Sequence, residues 1–181
     1  MISYTAITSL DGYVADAAGD FDWSAPSPEV HAFVNDLERP VGTYLYGRRM
    51  YEVMRVWENP AVADNEPDVV ADFSQLWRKA DKVVYSTTLD SVTTERTRLE
   101  RRFDAEAVRS LGGDISVGGP TLAAEALRAG IVDELGQFLC PVIVGGGTAF
   151  LPDDLRLDLR LLDEHRFRNG VLYLRYAVDR R

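Results

Sequence analysis

The chain of 181 residues holds one cysteine, Cys140, and two histidines, His31 and His165. A lone thiol excludes an internal disulfide and any cysteine-built metal cluster. A reducing cytoplasm is the compartment this cysteine usage predicts. The histidines lie far apart with no carboxylate at ligand spacing, so no metal site is expected, and both read as surface or core residues. Neither sits near Ser9 or Ser86, which leaves a nucleophilic serine without a base. No run approaches the roughly 20 apolar residues of a membrane span. The start, MISYTAITSLDG, lacks the basic opening and long apolar core of a secretion signal. Positive charge is also short, with 20 Lys and Arg against 29 Asp and Glu and a net charge of -9. Nucleic acid and membrane are therefore not expected as partners. Catalytic side-chain chemistry is scarce, and any reaction is expected to belong to a bound cofactor.

What the chain does have is alternation. Ile2–Thr8, Gly42–Gly47, Lys82–Thr87 and Asp114–Gly118 read as β-branched or apolar strands, and Asp133–Gly145 as one long strand. Between them, Ser27–Glu38 places Val30, Phe33, Val34 and Leu37 at helical spacing behind a Ser-Pro start. Arg48–Met54, Pro67–Ala80, Asp104–Leu111 and Thr121–Gly130 read as further helices, the last closing on a left-handed glycine cap. Glu58–Asp68 reads as a surface loop. Asn169–Gly170 sits between two alternating runs, a strong hairpin signal. Such a pattern predicts one α/β domain over residues 1–181: a mostly parallel sheet covered on both faces, with an antiparallel hairpin at the C-terminus. Ligands of such sheets bind beyond the C-terminal strand ends.

Several motifs fall at that edge. In DISVGGPTLAAEAL a strand runs into Gly118–Gly119 and then a helix. Glycine permits close approach and positive φ, and the helix start offers free N–H groups to an anion; a tight turn alone would look the same. In YLYGRRMYEVM, Gly47 closes a strand beside Arg48 and Arg49, whose planar forks suit phosphate; a solvated pair is the alternative. In VVYSTT, hydroxyls at a strand end suit phosphate or ribose, or simply form a turn. One dinucleotide spans all three if the strands are neighbours. Gly145–Gly147 reads as close packing or a further wall of the site. The run Arg96–Arg102 is a second basic patch. The pairs Asp20–Asp22 and Asp153–Asp154 read as solvated loop charge.

These strings, in this order, resemble the dihydrofolate reductase superfamily, in the branch of the C-terminal reductase domain of the riboflavin-pathway deaminase–reductase. AITSLDGYVA resembles the first strand and the start of the active-site loop, GDFDWSAPSPEVHAF its continuation, and CPVIVGGGTAFLP is typical of the riboflavin branch. The resemblance covers nearly the whole chain and implies a dihydrofolate reductase-like three-layer fold that binds NADPH and passes hydride to a small heterocycle, pterin- or pyrimidine-like. It implies that Ala6, Ile7 and Val14 meet the nicotinamide and that Gly47, Arg48, Arg49 and Met50 hold phosphates. Ser86 and Thr87 would lie near the ribose, and Gly118, Gly119, Pro120, Thr121 and Leu122 would cradle the pyrophosphate. Trp23, Phe33 and Val117 would face substrate, with Glu29 or Asp11 as the acid. A homodimer is expected, with the apolar QFLCPVIVG strand as its seam. Val117 stands where riboflavin-pathway reductases carry Glu, Met50 where dihydrofolate reductases carry Thr, and no deaminase zinc motif is present. A direct 5-amino-6-(5-phosphoribosylamino)uracil reductase and a non-catalytic NADPH-binding protein are therefore the alternatives.

Overall fold

The computed structural model of the protein describes residues 1–64 and 66–179, so Asn65 in the polar loop lies outside it. Strands β1 (Ile2–Ser9), β3 (Val41–Gly47), β4 (Asp81–Tyr85), β5 (Thr97–Glu100), β6 (Asp114–Gly118), β7 (Glu134–Cys140), β9 (Leu159–Arg166) and β10 (Leu172–Val178) form one sheet in the order β5-β4-β3-β6-β1-β7-β10-β9. The pairs from β5 through to β7 are parallel, and β10 is antiparallel to both β7 and β9. A small ladder joins β2 (Tyr13–Ala15) to β8 (Thr148–Ala149). Helices α1 (Pro28–Glu38) and α3 (Asp68–Lys79) cover one face, and α4 (Ala105–Arg109) and α5 (Pro120–Arg128) the other; α2 (Arg48–Met54) follows β3 at the sheet rim. This is the three-layer, mostly parallel architecture expected, closed by the expected hairpin.

Local chemistry explains the boundaries. Ser27 caps α1 by accepting from the Val30 amide at 3.4 Å, and Pro28 pre-sets the first helical φ. Beyond α5, Gly130 takes φ 62°, the left-handed stop. In the hairpin, Gly170 has φ 88° and Asn169 Oδ1 accepts from the Val171 amide at 3.2 Å. On the α1/α3 face, Trp77 Nε1 donates to Tyr46 Oη at 3.1 Å, so two deeply buried aromatic tips satisfy one another. Lys82, also buried there, donates to the Trp77 carbonyl at 3.2 Å and lies 4.2 Å from the Trp77 ring; burial lowers its pKa.

Two segments differ from the sequence reading. The long strand from Asp133 starts at Glu134 and stops at Cys140, because Pro141 has no N–H to continue the ladder and the Val142 amide turns back to the Cys140 carbonyl at 2.8 Å. The basic run Arg96–Arg102 supplies β5. Thr97 and Leu99 face inward in strict alternation with Arg98 and Glu100, while Arg96 pairs with Asp81 at 2.8 Å. Register pairs Gly47 with Tyr85, Tyr46 with Gly118 and Ser9 with Cys140, so all these strands end at one rim. Because β10 is antiparallel, the hairpin turn stands on the same rim.

Candidate active site

The rim brings the three expected turns together, for β4, β3 and β6 are neighbours in the sheet. α2 starts at Gly47 and α5 at Gly119, and neither start has a side-chain cap. Their first-turn amides therefore face the rim at the positive ends of the two helices. Arg48 lies between the β3 and β4 turns: its Nε donates to Glu52 Oε1 at 2.8 Å and its Nη1 to Thr88 Oγ1 at 3.0 Å. Arg49, Thr87 and Thr121 are exposed on the same rim, and Pro120 occupies the first turn of α5. Ser86 is the turn former, since its hydroxyl accepts from the Thr88 and Leu89 amides at 3.2 and 3.0 Å. Arg101 clamps this turn from outside, donating to the carbonyls of Ser86 at 3.2 Å and Leu89 at 2.6 Å. An open hollow of about 440 Å³ adjoins the α5 start, lined in part by Pro120, Thr121, Arg128 and Thr148.

The glycines at these turns have different causes. A Cβ on Gly118 would stand 2.5 and 2.6 Å from the Tyr46 ring, and one on Gly119 would stand 3.1 Å from Met50 Cβ. Met50 thus packs onto the Gly-Gly turn. Gly47 has φ -76°, and a Cβ added to it would meet nothing within 4 Å, so neither conformation nor packing requires glycine there.

At the end of β1 the structure divides the expected residues between two faces. Ala6 and Val14 pack against the core beneath α5, whereas Ile7 and Trp23 pack beneath α1. Trp23 Nε1 is buried without a hydrogen-bond partner. Two residues expected to face substrate lie in packed surroundings. Val117 is fully buried in the α5-side core and presents nothing to a ligand. Phe33 is half-buried and packs its ring against an aromatic cluster, its centroid 5.0 Å from Tyr173, 5.1 Å from His165 and 5.3 Å from Phe167. The Leu122 side chain is likewise buried in the core, which leaves only its backbone for a ligand.

The two candidate acids are both engaged. Glu29 Oε2 accepts from the Arg168 amide at 3.4 Å and Oε1 lies 4.0 Å from Arg168 Nε, tying α1 to the hairpin turn. Asp11 accepts from the amides of Gly145 at 2.8 Å and Val144 at 3.2 Å. Hydrogen bonding, first to the Ser9 side chain and then to those amides, holds its carboxyl below the usual carboxylate range. The Leu10 amide reaches the Val142 carbonyl at 2.7 Å and the Phe150 amide the Gly12 carbonyl at 2.9 Å, so the two loops are stitched along their length. A Cβ on Gly147 would run into the Ala15 carbonyl, which makes close packing the reason for the third glycine of that loop.

Sequence reasoning passed over Glu52, which is seen only through its contact with Arg48, and it met Thr88 and Arg101 only as members of the VVYSTT and Arg96–Arg102 runs, without their roles in this turn. It also passed over Glu38. Its carboxyl is enclosed between the last turn of α1 and the hydroxyls of Tyr44 and Ser116, and burial pushes it up to about 7. Glu38 Oε2 and the Tyr44 hydroxyl have no well-formed hydrogen bond. An acidic residue in the last turn of a helix, against the dipole, is the one local sign of its unusual setting.

Sheet order, layers and hairpin define a dihydrofolate reductase-like α/β protein whose exposed helix starts converge on one rim. Residues 1–173 match the RibD C-terminal domain, and the chain belongs to that family, which makes it an oxidoreductase of the reductase-domain type. It is 26% identical over 174 residues to the uncharacterized protein YyaP of Bacillus subtilis (strain 168), covering 93% of this chain and 89% of that one. Among solved structures it resembles a putative riboflavin biosynthesis protein from Shewanella sp. PV-4, with TM-score 0.76, 19% identity and 99% of each chain covered. It also resembles dihydrofolate reductase from Enterococcus faecalis, solved with NADP(H), with TM-score 0.61, 14% identity, and 99% of this chain and 97% of that one covered.

Proposed function

We propose that the protein is an NADPH-dependent reductase that passes hydride to a small heterocycle of pterin or pyrimidine type, as a cytoplasmic homodimer. The observation that carries this reading is the pair of uncapped helix starts at Gly47 and Gly119, on neighbouring strands, with Arg48 and the Ser86–Thr88 turn beside them. Exposed amides at two helix starts suit the phosphates of a dinucleotide, and Arg48 suits the additional 2′-phosphate. Bound NADPH supplies the hydride. The chain's own residues bind and orient, and they exclude water through the stitched loops around Asp11.

The Trp23 indole N–H has no partner in the protein, and a heterocycle carbonyl or ring nitrogen would satisfy it once the loop that covers it moves aside. Asp11, ionised and bonded to two amides, is a poor proton donor, so the proton comes from solvent or from Glu29. With Val117 buried rather than acidic and facing substrate, direct reduction of the ribosylaminopyrimidine of riboflavin synthesis is the second reading. For the dimer, β7 cannot be an edge seam, because β1 and β10 pair with both its sides. The exposed Leu159, Leu161 and Leu172 on the terminal β9–β10 pair are the better surface.

The experiment is a binding titration of NADPH and NADH against wild type and Arg48→Ala. NADPH at 100 times its Kd should stabilise wild type by about 2.7 kcal/mol. Arg48→Ala should weaken NADPH by about tenfold to a hundredfold, the worth of a charged hydrogen bond, and NADH much less. Equal losses for both dinucleotides would remove Arg48 from the 2′-phosphate, and no binding of either would end the reading. Binding without turnover on any pterin or pyrimidine would favour a non-catalytic nucleotide-binding protein.

A further inference from the structure

The Arg48 guanidinium is held on two sides. Glu52, one turn along α2, takes its Nε at 2.8 Å, and Thr88 takes its Nη1 at 3.0 Å. Thr88 does not drift, because its amide is bonded to Ser86 Oγ and Arg101 clamps the turn that carries it. The Arg48–Glu52 pair is a poor helix-stabilising device. It runs in the order basic then acidic, against the helix dipole, and its side chains are 50% and 39% exposed. What it does accomplish is to set a negative charge against a guanidinium that lies between the β3 and β4 turns.

We propose that Glu52 is a cofactor-selectivity residue, whose carboxylate holds one edge of Arg48 and opposes a 2′-phosphate at the other, narrowing the preference for NADPH over NADH. The proposal rests on the dinucleotide reading above. A 2′-phosphate brings a charge of roughly -1.5 to -2, whereas the 2′-hydroxyl of NADH brings none. Like charges a few ångströms apart in a water-like medium weaken binding by about fivefold to tenfold, and salt screens the effect. Glu52 therefore acts on one dinucleotide and barely on the other.

The test measures the Kd of NADPH and of NADH for wild type, Glu52→Gln, Arg48→Ala and the double variant. Glutamine keeps an acceptor for Arg48 Nε and removes only the charge. Glu52→Gln should tighten NADPH by about fivefold to tenfold at low salt and leave NADH nearly unchanged, and the gain should shrink at roughly 0.5 M salt. In the Arg48→Ala background the gain should persist, because the repulsion acts between the Glu52 carboxylate and the phosphate directly. An unchanged NADPH to NADH ratio in Glu52→Gln, or a gain that vanishes without Arg48, overturns the role of Glu52 as an opposing charge while leaving dinucleotide binding intact. Wild type that binds neither dinucleotide overturns both readings together.

Discussion

Gly47 and Gly118 look alike in sequence: each ends a strand and precedes a helix at the same rim. Physically they are opposites. Gly118 is glycine because the Tyr46 ring lies where a Cβ would go, and Tyr46 cannot retreat while its Oη accepts from buried Trp77. Gly47 has an ordinary extended backbone and open space around it. One glycine is demanded by packing within the fold, and the other is left unexplained until a ligand is considered. A strand–glycine–helix pattern therefore does not by itself mark a binding site; the surroundings of the absent side chain decide.

The largest effect should come from the packed glycine. Gly118→Ala forces a methyl into an aromatic ring in a filled core, an overpacking cost of about 2–3 kcal/mol. For a chain of this length that is a fall in Tm of roughly 4–12 °C, readable by calorimetry or urea unfolding. A variant as stable as wild type would show that Tyr46 and Met50 yield easily, and the contrast between the two turns would be lost.

Gly47 should answer with the opposite sign. Its backbone, φ -76° and ψ 167°, closely matches that of Ser27, φ -63° and ψ 160°, which caps α1. Gly47→Ser should therefore add a cap to α2 and stabilise the fold by a few tenths of a kcal/mol. The same hydroxyl would take an amide that the proposed phosphate site needs, and on that proposal NADPH affinity should drop by about fivefold to tenfold, or about 1.0–1.4 kcal/mol. Greater stability with undiminished NADPH affinity would place the phosphates elsewhere.

This contrast also marks how far the sequence could be read. Ser27, Pro28 and Gly130 announce their helix ends because capping is decided within a few residues. The rim was legible in the same way, as strand ends carrying Gly47, Ser86 and Gly118. What fills the space behind each glycine was not legible, because Tyr46 and Met50 reach Gly118 and Gly119 from a different strand and helix. The packing of Phe33 and Val117 was not legible for that reason: tertiary contacts, not local pattern, turned Phe33 toward Phe167 and Tyr173 and Val117 into the α5 side. β5 went unseen because its alternation was written in arginine and glutamate rather than apolar residues.

A third glycine turn supplies the finest test, for Gly145–Gly147 is held by an acid rather than by a ring or by nothing. Asp11 accepts from the Val144 and Gly145 amides, and its pKa lies below the ordinary aspartate value because the ionised form is hydrogen-bonded first by the Ser9 side chain and then by those amides. A carboxyl lowered in the folded state contributes stability above its unfolded pKa of about 3.9, and that contribution fades as pH falls through the lower folded value. The Gly145 amide resonance should accordingly titrate with a midpoint below about 3.9. Asp11→Asn, with one acceptor oxygen in place of two, should abolish that titration and speed amide exchange at Val144 and Gly145 at neutral pH, with only a slight change in Tm. A midpoint at or above the unfolded value, or unchanged exchange in Asp11→Asn, would mean that the loop is held without Asp11, by Gly147 against Ala15, the β2–β8 ladder and the backbone bonds of Leu10 and Phe150, making this turn a packed one like Gly118.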